Sequence, residues 1–226
     1  MLDVGAHDGA FTLPFAELPG TRVLACEPLA AAHARLRAAV IARFGTVPAH
    51  VSLHRAALGD REGEAVLAVP LLGAAPQEQW ASIVKDYAGW PGVGTARETV
   101  PLRRVDGLGL DDLSAVKLDA EGAEYEVLRG ARETLLRCRP VLSVEIEERH
   151  RPGSTWAVPA YLDALGYDGF FELHGAWRPM AGLDRATMHR ASPDPSAFAA
   201  SDPYVFTFAF LPREAAAGML GRLRDG

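Results

Sequence analysis

Residues 3–9 read DVGAHDG. The spacing is Asp-x-Gly-x-x-x-Gly. It follows a strand start and precedes a helix-like segment, AFTLPFAEL at 10–18. Glycines let a backbone turn tightly beside a ligand, and the helix that follows offers unpaired N–H groups. The pattern is not the G-x-G-x-x-G of a dinucleotide site. The ligand end held here would be a carboxylate or a ribose rather than a pyrophosphate. Asp3 could accept from an amino group or order the loop, and His7 sits inside the loop, where a site role competes with packing on its outside. The plainer alternative is an ordinary strand–turn–helix joint.

The next segment sharpens the first. RVLACE at 22–27 is a strand-length run ending at Glu27, eighteen positions after Gly9. An acid at the tip of the second strand of such a unit can accept both ribose hydroxyls. The alternative is an acid beside Pro28 at a helix start, favoured by the helix dipole.

Further out, strand-length apolar runs alternate with amphipathic helices. Residues 29–44 carry Leu29, Ala32, Leu36, Val40 and Phe44 at helical spacing. Strands are expected at 51–57, 115–119, 141–147, 168–174 and 204–211, and helices at 122–137 and 157–165, the last capped by Gly166. This order predicts an α/β layer fold with a mostly parallel sheet. Two regions break the rhythm: 64–104, with β-like pieces EAVLAVP and ETVPLRR around a Gly/Pro-rich middle, and 176–203, with four prolines and few apolar runs. Both are expected to be insertions, either covering a substrate or lying as plain surface loops. Trp80, Tyr87 and Trp90 in the first are apolar lid residues or packing anchors.

The chain has 226 residues, 49% apolar and 23% charged. That composition supports an ordinary core and excludes a disordered, collagenous or disulfide-stapled chain. No apolar run reaches the ~18–20 residues of a membrane span. Asp3, His7 and Asp8 interrupt any secretory leader. Cys26 and Cys138 form no CxxC pair and read as buried thiols of a reducing, cytoplasmic setting. A net charge of −6 and a pI near 5.6 argue against nucleic acid.

DVGAHDG, CEP at 26–28 and AALGDREG at 56–63 together resemble a class I S-adenosylmethionine-dependent methyltransferase. VKLDAEGAEYEVLRGARETL at 116–135 and RPVLSVEIE at 139–147 narrow the resemblance to the FkbM family, over roughly residues 2–147. The resemblance implies a Rossmann-like α/β fold: a seven-stranded, mostly parallel sheet with helices on both faces, built as one methyltransferase domain over 1–226. It also implies methyl transfer, typically to oxygen. Asp3, Gly5, Ala6, His7 and Gly9 would line the methionine end of S-adenosylmethionine. Glu27, with Pro28 beside it, would take the ribose, and Ala57 and Leu58 would flank the adenine. Asp119 would lie near the methyl group.

Asp119, Glu121, Glu124 and Glu145 form a second set. Ligands in open α/β sheets sit beyond the carboxyl ends of the strands, and Asp119 and Glu145 fall near two such ends. Three readings stay open. One acid is a general base for a substrate hydroxyl, the acids hold a divalent ion such as magnesium, or they cap the following helix. The metal reading is the least favoured. His150, after Glu147, Glu148 and Arg149, is a further candidate base, with a solvent-exposed loop position as the alternative. His54 is expected in a strand, and His174 and His189 have no assigned place.

The expected activity is O-methylation of a hydroxyl on a small-molecule, sugar or natural-product acceptor. The alternatives are a nicotinamide-dependent Rossmann oxidoreductase and a non-catalytic cofactor-binding module of the same fold. A homodimer is left open. Only Met1 and Leu2 precede Asp3, whereas a strand usually has about five or six residues. A stunted first strand with weakened pairing beside the glycine loop is therefore expected, either short in itself or begun upstream of this sequence.

Overall fold

The computed structural model describes residues 1–88, 90–189 and 204–218. The chain opens with β1 (Leu2–Val4), α1 (Thr12–Glu17), β2 (Val23–Cys26), α2 (Ala30–Phe44) and β3 (Val51–His54). These are parallel strands joined by helices, as the apolar runs require. Helix α2 buries Ala32, Leu36 and Val40 and ends where Gly45, at φ 80°, returns its N–H to the Ile41 carbonyl.

The first irregular region folds into a second sheet. It holds β4 (Ala57–Leu58), the hairpin strands β5 (Gly63–Leu72) and β7 (Val93–Arg103), and a short β6 (Ala75–Pro76), in the order β4-β7-β5-β6. Leu67, Val69, Val100 and Leu102 pack with Leu29, Ala32 and Ala57, so this sheet closes over the start of α2.

The chain then returns to the main sheet with β8 (Ala115–Leu118), α3 (Glu124–Gly130), α4 (Arg132–Cys138), β9 (Val141–Glu145), α5 (Ser154–Ala164) and β10 (Tyr167–Leu173). It continues with β11 (Ala176–Pro179), α6 (Arg185–Met188) and β12 (Thr207–Pro212). The helix expected at 122–137 is thus two helices joined at Ala131. Gly166, at φ 79°, donates to the Asp163 carbonyl after α5, the expected terminating role.

The main sheet has eight strands in the order β11-β10-β12-β9-β8-β1-β2-β3. This corrects the seven mostly parallel strands expected. Strands β9, β8, β1, β2 and β3 are parallel, but β12 runs antiparallel to both its neighbours and β11 adds an antiparallel hairpin edge. That eighth strand comes from 176–179, inside the second region taken for a loop. Helices lie on both faces. Leu2, Val4, Val116 and Leu118 face α3, α4 and α5, and Val23 and Ala25 face α1 and α2. Residues 190–203 of the second insertion lie outside the described residues. No described helix is long and apolar enough to cross a membrane.

Strand β1 has three residues, all buried, and is short as expected. Its pairing is not weakened. Each residue is in register with β2 on one side and β8 on the other. Past the strand end, the Gly5 and Ala6 N–H groups both donate to the Cys26 carbonyl, at 3.0 and 3.1 Å.

Candidate active site

Strand order reverses between β1 and β8, since β2 and β3 extend to one side and β9 to the other. A crevice beyond the carboxyl ends at such a point is where open α/β sheets bind ligands. A cavity of about 280 Å³ lies there.

The glycine loop builds one wall. Gly5 has φ 72°, and a Cβ on it would stand 1.9 Å from the Asp119 carbonyl oxygen. Only glycine fits where the loop crosses the end of β8. His7 is also left-handed, at φ 46°, and its N–H donates to Glu27 Oε2 at 2.9 Å. Gly9 turns away from the cavity. A Cβ there would come 2.9 Å from Leu36 Cδ1, so this glycine serves the approach of the loop to α2.

Asp3 also lies off the cavity, fully buried beneath the loop. Its Oδ2 accepts from Thr12 Oγ1 at 2.6 Å. Register places Asp3 beside Lys117 on β8, with Lys117 Nζ 3.8 Å from Asp3 Oδ1. Burial raises the Asp3 carboxyl above its ordinary range, and Lys117 opposes that rise. Lys117 Nζ donates to the Gly5 carbonyl at 2.8 Å and reaches Asp119 Oδ2 at 3.4 Å. The sequence reading passed over this lysine. Its signal was there, because a charge inside the strand run VKLD must be paired if the strand is buried.

Gly5, Ala6, His7, Glu27, Pro28 and Asp119 line the cavity, as do Ala57 and Leu58. Glu27 is 5% exposed, and its two oxygens accept from the His7 and Leu29 N–H groups. It therefore ties the glycine loop to the turn that leads into α2. A carboxylate has about four acceptor sites, so positions remain for ligand hydroxyls. Burial raises its pKa despite those bonds. The first insertion also reaches the cavity, through Leu67, Gln79 and Ile83 beside Leu58. Of its aromatics, Tyr87 is a packing anchor: it is buried, sends its hydroxyl to the Trp80 carbonyl and packs edge-on against Trp90.

The carboxylates meet as the sheet register dictates. Leu118 pairs with Val144, which sets Asp119 and Glu145 side by side at adjacent strand ends. Asp119 and Glu121 line the cavity, and Asp119 Oδ1 is buried without a hydrogen-bond partner among the described residues. Glu124 is structural: its Oε1 accepts from the Ala120 and Gly122 N–H groups and closes the turn before α3. Complete burial pushes its pKa up to about 7.

Glu121, at φ 52°, pairs with Lys85 from the first insertion, and its carbonyl accepts from Ser82 Oγ at 2.7 Å. Burial pushes its carboxyl up to about 7 against the pull of Lys85. Burial and then the charges of Asp119 and Glu147 hold Glu145 well above the usual carboxylate range. Burial also acts on Glu147, but Arg149 and Tyr204 outweigh it and hold that carboxyl low. His150 is not the solvent-exposed loop histidine of the alternative reading: its side chain is 9% exposed, and burial with the Lys85 ammonium pushes its pKa down to about 3. Lys85, Ser82 and Glu147 escaped the sequence reading, because nothing local ties residues 82–85 to the turn at 121.

The other histidines stand apart. His54 ends edge strand β3, and His174 turns between β10 and β11. His189 is buried, accepting from the Glu148 N–H at Nε2 and donating from Nδ1 to the Val205 carbonyl.

The fold and cavity define an open α/β protein with a crevice at the switch point of its sheet, the place where such sheets bind ligands. A family model, the methyltransferase FkbM domain, matches residues 3–178. The chain belongs to the FkbM methyltransferase family. It is similar in fold to the crystal structure of methyltransferase FkbM from Methylobacillus flagellatus KT, with a TM-score of 0.57 and 18% identity. That similarity covers 93% of this chain and 42% of the other, so this chain spans less than half the length of its structural relative. No curated protein matches it significantly.

Proposed function

We propose that the chain, acting as one catalytic domain, transfers a methyl group from S-adenosylmethionine to a hydroxyl oxygen of a small-molecule or glycan-like acceptor. The observation that carries this reading is the Gly5 cradle, where a Cβ would collide with the Asp119 carbonyl, set in one cavity with Glu27. That close approach seats the loop on the end of β8, so that Gly5, Ala6 and His7 line the cavity with an acid one strand away. Gly5, Ala6 and His7 would hold the amino-acid end, Glu27 the ribose hydroxyls, and Pro28, Ala57 and Leu58 the base. Asp3 and Gly9 support the loop from outside the cavity.

The bound cofactor supplies an electrophilic methyl on a sulfonium. Gly5, Ala6, His7 and Glu27 would hold that group in the cavity, where its methyl would be available to an acceptor hydroxyl beside Asp119. The protein's share is alignment, worth as much as ~7–11 kcal/mol in favourable cases, and acceptance of the hydroxyl proton. Asp119 is the proton acceptor in this reading, because it lines the cavity and its Oδ1 has no partner among the described residues. Lys117, which touches Gly5 and Asp119 together, holds the loop and the acid in step.

Calorimetry with S-adenosylmethionine tests the reading. The wild type binds, and Gly5→Val abolishes binding. Asp119→Asn retains affinity within a few-fold but slows methyl transfer by about 10²–10⁴, the usual share of a positioned base. Absence of binding to the folded wild type sinks the proposal.

A further inference from the structure

Beyond the cofactor cavity, the geometry points to a divalent metal site formed by Glu121, Glu145 and His150. One ligand atom from each lies within 4.8 Å of the other two. The residues come from three places: the turn before α3, the end of β9 and the loop after it. The side chain of His150 is about nine-tenths buried. Its Nε2 is aimed into the cluster, 3.4 Å from Glu121 Oε2 and 3.3 Å from Glu147 Oε1. Its ring thus faces carboxylates, whereas the buried His189 spends both nitrogens on backbone groups.

The donor set selects the ion. Two carboxylate oxygens and one imidazole nitrogen suit Zn²⁺, Mn²⁺, Fe²⁺ or Co²⁺, whereas Mg²⁺ and Ca²⁺ favour oxygen alone. Ligand atoms about 2.1 Å from one ion stand at most ~4.2 Å apart, so small side-chain rotations bring these three into range. Three protein ligands leave positions open for water or substrate oxygen. Glu121 also lines the cofactor cavity, so a bound ion would share a wall with it. Glu147 lies beside the imidazole in the second rank, held by Arg149 and by the Tyr204 hydroxyl at 2.6 Å. Lys85 rests on Glu121 from the insertion, where its ammonium competes for the same carboxylate.

Metal binding does not depend on the methyl-transfer reading and is measured without cofactor. Chelator-treated protein is titrated with Co²⁺, following visible d–d absorption and heat. One equivalent binds, Zn²⁺ displaces it and excess Mg²⁺ does not. His150→Gln and Glu145→Gln each weaken binding at least ten-fold, while His174→Gln, on an exposed turn, leaves it unchanged. Lys85→Met tightens binding by removing the competing cation. Circular dichroism confirms that each variant is folded. Lack of a stoichiometric site in folded wild type, or binding indifferent to both His150→Gln and Glu145→Gln, overturns the assignment.

Discussion

Single residues show how one side chain answers to burial before it answers to chemistry. Glu124 sits among acids in the sequence, yet its carboxylate is spent on two backbone N–H groups and is wholly buried. Its pKa rises from 4.5 to about 7. The folded state thus binds this proton more tightly than the unfolded chain does. The associated stability is full below pH 4.5 and is lost as pH rises through 7. Glu124→Gln keeps an acceptor oxygen and removes the titration. Urea unfolding should show the wild type losing ground to the variant between pH 4.5 and pH 8, by on the order of 3 kcal/mol. A gap that does not change with pH would refute the assignment.

The sequence announced Gly5, Glu27 and Asp119 because spacing and strand ends are local properties. It did not announce Lys117, Lys85 or His150 as partners of those acids. Lys117 meets Asp3 across a strand pair, and Lys85 meets Glu121 across 36 residues of chain. The neutral character of His150 follows from packing that no local pattern encodes.

At the scale of elements, α5 carries Pro159 in its interior. Proline has no N–H to return to the carbonyl four residues earlier, which here belongs to Thr155. Arg185 from α6 fills the gap: its Nη2 donates to the Thr155 carbonyl at 2.8 Å, and its guanidinium lies 3.6 Å from the centre of the Trp156 ring. The helix tolerates its proline because another element completes it. Arg185→Ala should cost about 2 kcal/mol, the usual worth of a charge-assisted bond, read as a lower midpoint in chemical denaturation. No change would show that water serves the carbonyl equally well. The sequence reading started this helix at 157, beyond its true first turn, and left α6 inside a loop. The alternating main-sheet strands were legible because they are apolar and periodic. The β-like pieces EAVLAVP and ETVPLRR fall on β5 and β7, but their pairing into a hairpin was not legible across the Gly/Pro-rich middle, and β11 was hidden by its exposed faces and proline.

For the molecule as a whole, the second sheet is the main addition to the α/β layers. It is tied to α2 by polar contacts at its rim. Glu98 Oε1 accepts from the Ala30 N–H at 3.1 Å and from Arg55 at 2.7 Å, and Glu78 pairs with Arg35. Such exposed pairs contribute less than ~1 kcal/mol each to global stability, but they set how firmly the cavity wall is seated. Glu98→Ala with Glu78→Ala should leave the main transition nearly unchanged. Amide exchange in Val66–Val69 and at Val100 should quicken while β1 and β8 keep their protection. Equal acceleration in both sheets would mean that the sheets open as one unit.

The short first strand has a mechanical consequence. Three residues at about 3.3 Å each span only ~10 Å, so this inner strand is a short strut between β8 and β2. At one end of that strut lies the glycine loop. At the other, the Met1 carbonyl accepts from the Leu24 N–H, beside a polar hollow rimmed by Arg22 and Asp112. All three of its residues are in register with a neighbour on each side. One doubly paired segment thus joins the rim of the far hollow to the glycine loop, and a substitution at either end is felt by both neighbouring ladders.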